Sequence, residues 1–257
     1  MPSGAPKPES ESESESESES GSGSGSGGKP GSEAEPETGL ETGSGSAVRD
    51  RLSRLLDPAT TVLLTVECQR GVVGVRSALP ELAAEARRSG VLDRIARLAA
   101  AARTAGVQVI HAVAERRPDG RGANLNAPLF RALAGLPVQQ HSGTPAVEPE
   151  PPVEAAAEDL VVRRLHGLSP LAGTGLDPLL RNLRCRTLLI TGVSANVAVP
   201  NTVFDAVNLG YTAVVPRDAI AGVPADYTPA MIRHTLAPVA TVTTCRAVLD
   251  VWRRHTP

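Results

Sequence analysis

The chain has 257 residues, a formal net charge of −2 and five aromatic side chains. So mild a balance, with no basic block interleaved with aromatics, leaves no footprint for nucleic acid. No apolar run is long enough to span a bilayer and no signal peptide opens the chain, so neither a membrane partner nor export is expected. Residues 1–48 hold ten Glu against two Lys, a net −8 that leaves residues 49–257 at +6. This Glu/Ser/Gly-rich segment offers almost nothing to bury, so it reads as a disordered acidic tail before a single domain over 49–257. Thr61–Val66 (TVLLTV) has the form of a strand covered on both faces. Residues 91–105 carry apolar side chains at helical spacing up to Gly106, and 107–113 (VQVIHAV) is the next strand. A Gly- and Pro-rich stretch over 115–158 is long enough to carry function or short helices of its own. Alternation then resumes: strand 160–163, helix 176–183, strand 187–191, helix 199–209, strand 212–215, helix near 230–236, strand 240–243 and helix 246–254. The order predicts an α/β fold, a doubly wound, mainly parallel sheet flanked by helices.

In such sheets ligands sit beyond the carboxyl ends of the strands, so the residues there carry the functional reading. Glu67 follows the first strand, where a partly desolvated carboxylate serves as general acid or base. The same position also suits a solvated or structural Glu. The strand at 187–191 runs into TGVSANVA (191–198), a turn whose amides and helix dipole either bind an anion or simply connect strand to helix. Arg116, in the run RRPDGR (116–121), either meets a substrate or belongs to a solvated basic loop. Ser142 and Ser169 lack a G-x-S-x-G context. Three cysteines, odd in number and without a CxxC pair, fit a reduced, cytoplasmic compartment.

Three segments in order, LLTVECQRGVVG (63–74), DLVVRRLHGLSPLAGTGLDPLL (159–180) and TGVSANVAVPNTVFDAVNLGYTAVVPRDAIAG (191–222), resemble the isochorismatase-like, or cysteine hydrolase, superfamily. The resemblance implies a three-layer Rossmann-like fold, a small-molecule substrate, a homo-oligomer with active sites near subunit contacts, and an Asp base, Lys partner and Cys nucleophile. This sequence departs at each position. Glu67 replaces the Asp, and Leu165 falls at the Lys position with Arg164 beside it. Ala198 falls at the Cys position and brings no nucleophile. Cys68 should face away from Glu67 by strand alternation. The Asp-x-His metal triplet of nicotinamidase-type relatives is absent after Glu67, so no metal or other cofactor is expected.

The reading that follows is a hydrolase without a cysteine nucleophile, acting on a small anionic metabolite. Glu67 and Arg164 form its catalytic pair; Gln69, Arg116, His166, Ser194, Asn196 and Ala198 form its substrate-binding set. The alternative is a catalytically silent relative that binds a metabolite or a protein.

Overall fold

The computed structural model describes residues 45–254. The acidic segment therefore lies outside the described residues up to position 44, and its last residues already belong to a helix, α1 (Gly45–Leu55). Leu52 and Leu56 are buried at the foot of this helix, and Trp252 Nε1 donates to the Leu56 carbonyl at 3.1 Å.

Seven parallel strands form one sheet: β1 (Thr61–Val66), β2 (Gln108–Ala114), β3 (Leu160–Arg164), β4 (Thr187–Val193), β5 (Thr212–Pro216), β6 (Ile220–Ala221) and β7 (Thr241–Thr243). Their order is β3-β2-β1-β4-β5-β7, with the short β6 also paired to β4. Both inner strands, β1 and β4, are buried along their whole length, as continuous apolar runs require. Helices cover both faces. Leu63 and Leu189 point to one side, where α4 (Val91–Thr104) and α9 (Cys245–Trp252) supply Ile95, Leu98, Val248 and Trp252. Leu64 and Ile190 point to the other, against Leu176 and Leu180 of α6 (Leu176–Asn182) and Val199 and Val203 of α7 (Ala198–Asn208). Each fully buried Leu or Ile contributes roughly 1.5–3 kcal/mol against conformational entropy.

The chain winds outward from β1 through β2 to β3, then returns to β4 beside β1. The direction of winding reverses at that pair, so a crevice opens beyond its carboxyl ends. Gly192 makes the reversal tight: with φ 113°, a Cβ there would sit 2.2 Å from the Val66 carbonyl oxygen. Four helices escape the predicted pattern: α1, α2 (Arg70–Val73), α3 (Pro80–Ser89) and α5 (Pro128–Ala134), the last inside the long irregular stretch. The helix near residue 230 is α8 (Thr228–Met231), continued by a wider π-turn over Ile232–Leu236.

Candidate active site

A cavity of about 530 Å³ opens at the switch point between β1 and β4. Glu67 stands at its floor. The residue leaves β1 with φ 53°, a left-handed conformation that costs a non-glycine residue on the order of 1 kcal/mol. Its N–H still bonds the Ala112 carbonyl at 2.9 Å, so the kink is anchored to β2. One carboxylate oxygen, Oε1, accepts a hydrogen bond from Arg164 Nη2, while Oε2 has no hydrogen-bond partner among the described residues.

Arg164, the last residue of β3, is 5% exposed. Its Nε and Nη2 also reach the carbonyls of Gly167 and Leu168, both at 3.4 Å, and Asn124 Oδ1 fixes that loop by accepting from the Gly167 N–H at 2.7 Å. Its remaining nitrogen, Nη1, is buried with no hydrogen-bond partner. The cation facing Glu67 is therefore Arg164, while Leu165 merely lines the cavity. Arg164 is already neutralised by Glu67, and the cavity's other charges, Glu81, Glu115 and Arg116, add no cationic excess.

From β4 and α7 the cavity receives Ser194, Asn196 and Ala198. The Val193–Ser194 peptide bond is cis. In this turn the N–H groups of Ala195 and Val197 bond the carbonyls of Ala221 and Ser194, at 2.8 and 3.2 Å. Among the described residues, the N–H groups of Ser194, Asn196 and Ala198 have no carbonyl acceptor. Asn196 donates through Nδ2 to the Val223 carbonyl at 2.9 Å, which leaves its buried Oδ1 unpaired.

Of the other predicted residues, Arg116 and His166 line the cavity, His166 as an exposed side chain. Gln69 does not. Its amide clamps the backbone of Ala114, accepting from the N–H and donating to the carbonyl at 2.7 Å each, so it is fully buried as a brace between α2 and β2. Cys68 packs into the core away from the cavity, and burial, then the charge of Glu67, pushes its thiol up to about 12. Ser169 is likewise structural, its Oγ accepting from the Leu171 N–H at 3.1 Å.

Sequence reasoning missed the apolar side of the cavity: Leu79 just before α3, Leu82 within it, Phe130 and Leu133 from α5, and Leu136 after it. The signal was present in PLFRALAGL (128–136), where Pro opens a helix and apolar residues recur at helical spacing. Among the described residues, no three His, Cys, Asp or Glu side chains gather as metal ligands would. No helix among them is long and apolar enough to cross a membrane.

A parallel sheet carrying a carboxylate, a buried cation and an open-amide turn around one cavity is an α/β framework for small-molecule chemistry. Residues 61–247 match the model of the isochorismatase domain, and the chain belongs to that hydrolase family. It is 34% identical over 159 residues to streptothricin hydrolase of Streptomyces noursei, covering 62% of this chain and 49% of that protein. The chain thus spans about half the length of that relative. Ureidoacrylate amidohydrolase RutB of Methylorubrum extorquens is 30% identical over 189 residues, covering 66% of this chain and 73% of that one. The crystal structure of a cysteine hydrolase from Pseudomonas syringae pv. phaseolicola superposes with a TM-score of 0.69 at 23% identity, over 78% of this chain and 96% of that one. At that identity the likeness speaks for the fold.

Proposed function

We propose that this protein hydrolyses a small carbonyl compound at the switch-point cavity, with water as nucleophile and Glu67 as general acid–base. The observation that carries the reading is the division of labour within one carboxylate: Arg164 fixes Oε1, and Oε2 is left unpaired in the cavity. In this scheme Oε2 takes a proton from water as the water oxygen bonds the carbonyl carbon. The carbonyl oxygen becomes an oxyanion, met by the N–H groups of Asn196 and Ala198. The bond to the leaving atom then breaks, and Glu67 returns the proton to that atom. Ala198, where the family resemblance places a thiol, contributes only a methyl group, so no covalent intermediate forms there. Arg116 and His166 border the substrate. Two relatives are named for hydrolysis, one of them an amidohydrolase, so the amide is the first bond to test.

A second reading is favoured by the same ion pair. A Glu67–Arg164 link joining the ends of β1 and β3, beside a position with no nucleophile, also suits a binding protein whose chemistry is lost. Screening the purified chain against small primary amides and esters separates the two. Product release above the uncatalysed rate is expected. A thermal shift with any of these compounds and no turnover would favour the binding reading instead.

A further inference from the structure

Behind the cavity floor, the inner sheet carries a chain of polar side chains. Thr65 Oγ1 of β1 meets His111 Nδ1 of β2 at 2.9 Å, and His111 Nε2 meets Oδ2 of Asp159, the residue just before β3, at 3.0 Å. Hydroxyl, imidazole and carboxylate in that order resemble a nucleophilic triad. Yet Thr65 and His111 are each 1% exposed, the Asp159 side chain is fully buried, and none of the three lines the switch-point cavity. Their role must therefore be exerted through other residues. Burial lowers the His111 pKa, so its ring is neutral near pH 7. The Asp159 carboxylate, which also accepts from Arg103 Nε at 3.1 Å and the Ala156 N–H at 2.8 Å, has no proton to give. Nε2 of His111 thus carries the ring proton, and Nδ1 accepts from the Thr65 hydroxyl.

The three strands joined in this way are the three that deliver the Glu67–Arg164 pair. Thr65 lies two residues before Glu67 and stands opposite His111 in the parallel register. His111 precedes Ala112, whose carbonyl accepts from the Glu67 N–H at 2.9 Å. Asp159 lies five residues before Arg164, along β3. Replacing buried polar partners by apolar groups of like shape is often neutral for stability. Directional bonds instead fix position, where apolar packing would tolerate a slide. We propose that Thr65, His111 and Asp159 are positioning residues, holding β1, β2 and β3 at the relative advance that sets Glu67 on Arg164 with Oε2 turned to the cavity. The effect on rate rests on the hydrolase reading; the placement of Glu67 does not.

The test pairs turnover with backbone amide exchange, read by NMR on the full chain well below the melting temperature of each variant. Thr65→Val keeps the side-chain volume and deletes one bond; His111→Leu deletes both. Each should lower kcat at least about tenfold with KM within about twofold of wild type. Thr65→Ser, which keeps the hydroxyl, should restore kcat to within about threefold. In Thr65→Val the Glu67 amide should exchange at least about tenfold faster, while the Val214 amide in β5, beyond β4, keeps its rate. A merely structural role would leave kcat unchanged in folded Thr65→Val and speed both amides alike. Either result would overturn the proposal, as would an unchanged Glu67 amide or a Thr65→Ser chain as slow as Thr65→Val. Should His111→Leu fail to fold, the two Thr65 variants decide. A wild type that hydrolyses none of the screened compounds would sink the hydrolase reading alone, and the two amides would still decide the placement.

Discussion

Glu67 is held by its backbone and its side chain at once. A left-handed φ of 53° turns the chain out of β1, and the buried guanidinium of Arg164 then fixes one oxygen. Strain of this kind persists only where surroundings enforce it, and it concentrates at working sites. From sequence the carboxylate was legible, because a Glu directly after a buried apolar strand is unusual enough to notice. Its partner, Arg164, was legible too, although one residue away from the position the motif gives. Counting along a motif lands on Leu165, whereas the register of β3, with Arg164 opposite Ala114, decides which side chain turns inward. Gln69 misled for a related reason: two residues from Glu67, it looks like a lining group, but its amide is spent on Ala114. The empty nucleophile position yields a prediction at this scale. Burial pushes all three native thiols, Cys68, Cys185 and Cys245, up to about 12, so the folded wild type should take up no iodoacetamide near neutral pH. Ala198→Cys, opening on the cavity, should take up one equivalent, read by intact mass. An unlabelled variant would show that position 198 does not face the cavity.

Between elements, two contacts decide how β1 sits in the sheet. Gly192 lets β4 close onto Val66, and Gly192→Ala would force a methyl group against that backbone. A loss of more than about 3 kcal/mol in denaturant titrations is expected, and a loss below about 1 kcal/mol would show that the strands separate easily. The second contact is a buried chain of polar groups from β1 to β2 and α4. Thr65 Oγ1 meets His111 Nδ1 at 2.9 Å, and His111 Nε2 meets Asp159 Oδ2 at 3.0 Å. Arg103 reaches the same carboxylate through Nη2 at 2.5 Å. Burial lowers the His111 pKa below its ordinary 6.5, outweighing the pull of Asp159 in the other direction. Between that ordinary value and the folded one, the unfolded chain binds more protons than the folded chain. Stability should therefore be full above about pH 6.5 and fall as pH drops below it, by at most about 1.4 kcal/mol per unit. His111→Gln should flatten that slope in melting curves between neutral and mildly acidic pH; an unchanged slope would assign it elsewhere. Asp159 adds a separate loss at more acid pH. Burial acts to raise its pKa, but Arg103, the Ala156 N–H and His111 together hold it below 3.8. Helices α3 and α5 went unread because their apolar residues face a cavity or a neighbouring helix rather than the strands that organise the pattern.

For the whole molecule, alternating buried strands and amphipathic helices made the doubly wound parallel sheet legible from the sequence, because each local period agrees with one topology. The switch point followed from strand order, and with it the location of the site. The character of the ligand did not follow. Arg164, Arg116 and the amides of residues 194–198 suggested an anion, and only the three-dimensional structure shows that Arg164 is paired with Glu67 and that α5 adds an apolar wall. Membership of the hydrolase family rests on residues 61–247, and the reaction we propose rests on one carboxylate. Glu67→Gln is the substitution that isolates it, since a glutamine oxygen can still accept from Arg164 while the acid–base function disappears. Rates should be compared on the best substrate from the amide and ester screen, with melting curves beside them. The account predicts a loss in kcat of at least about 100-fold, with the fold retained. A folded variant that turns over at the wild-type rate would contradict it.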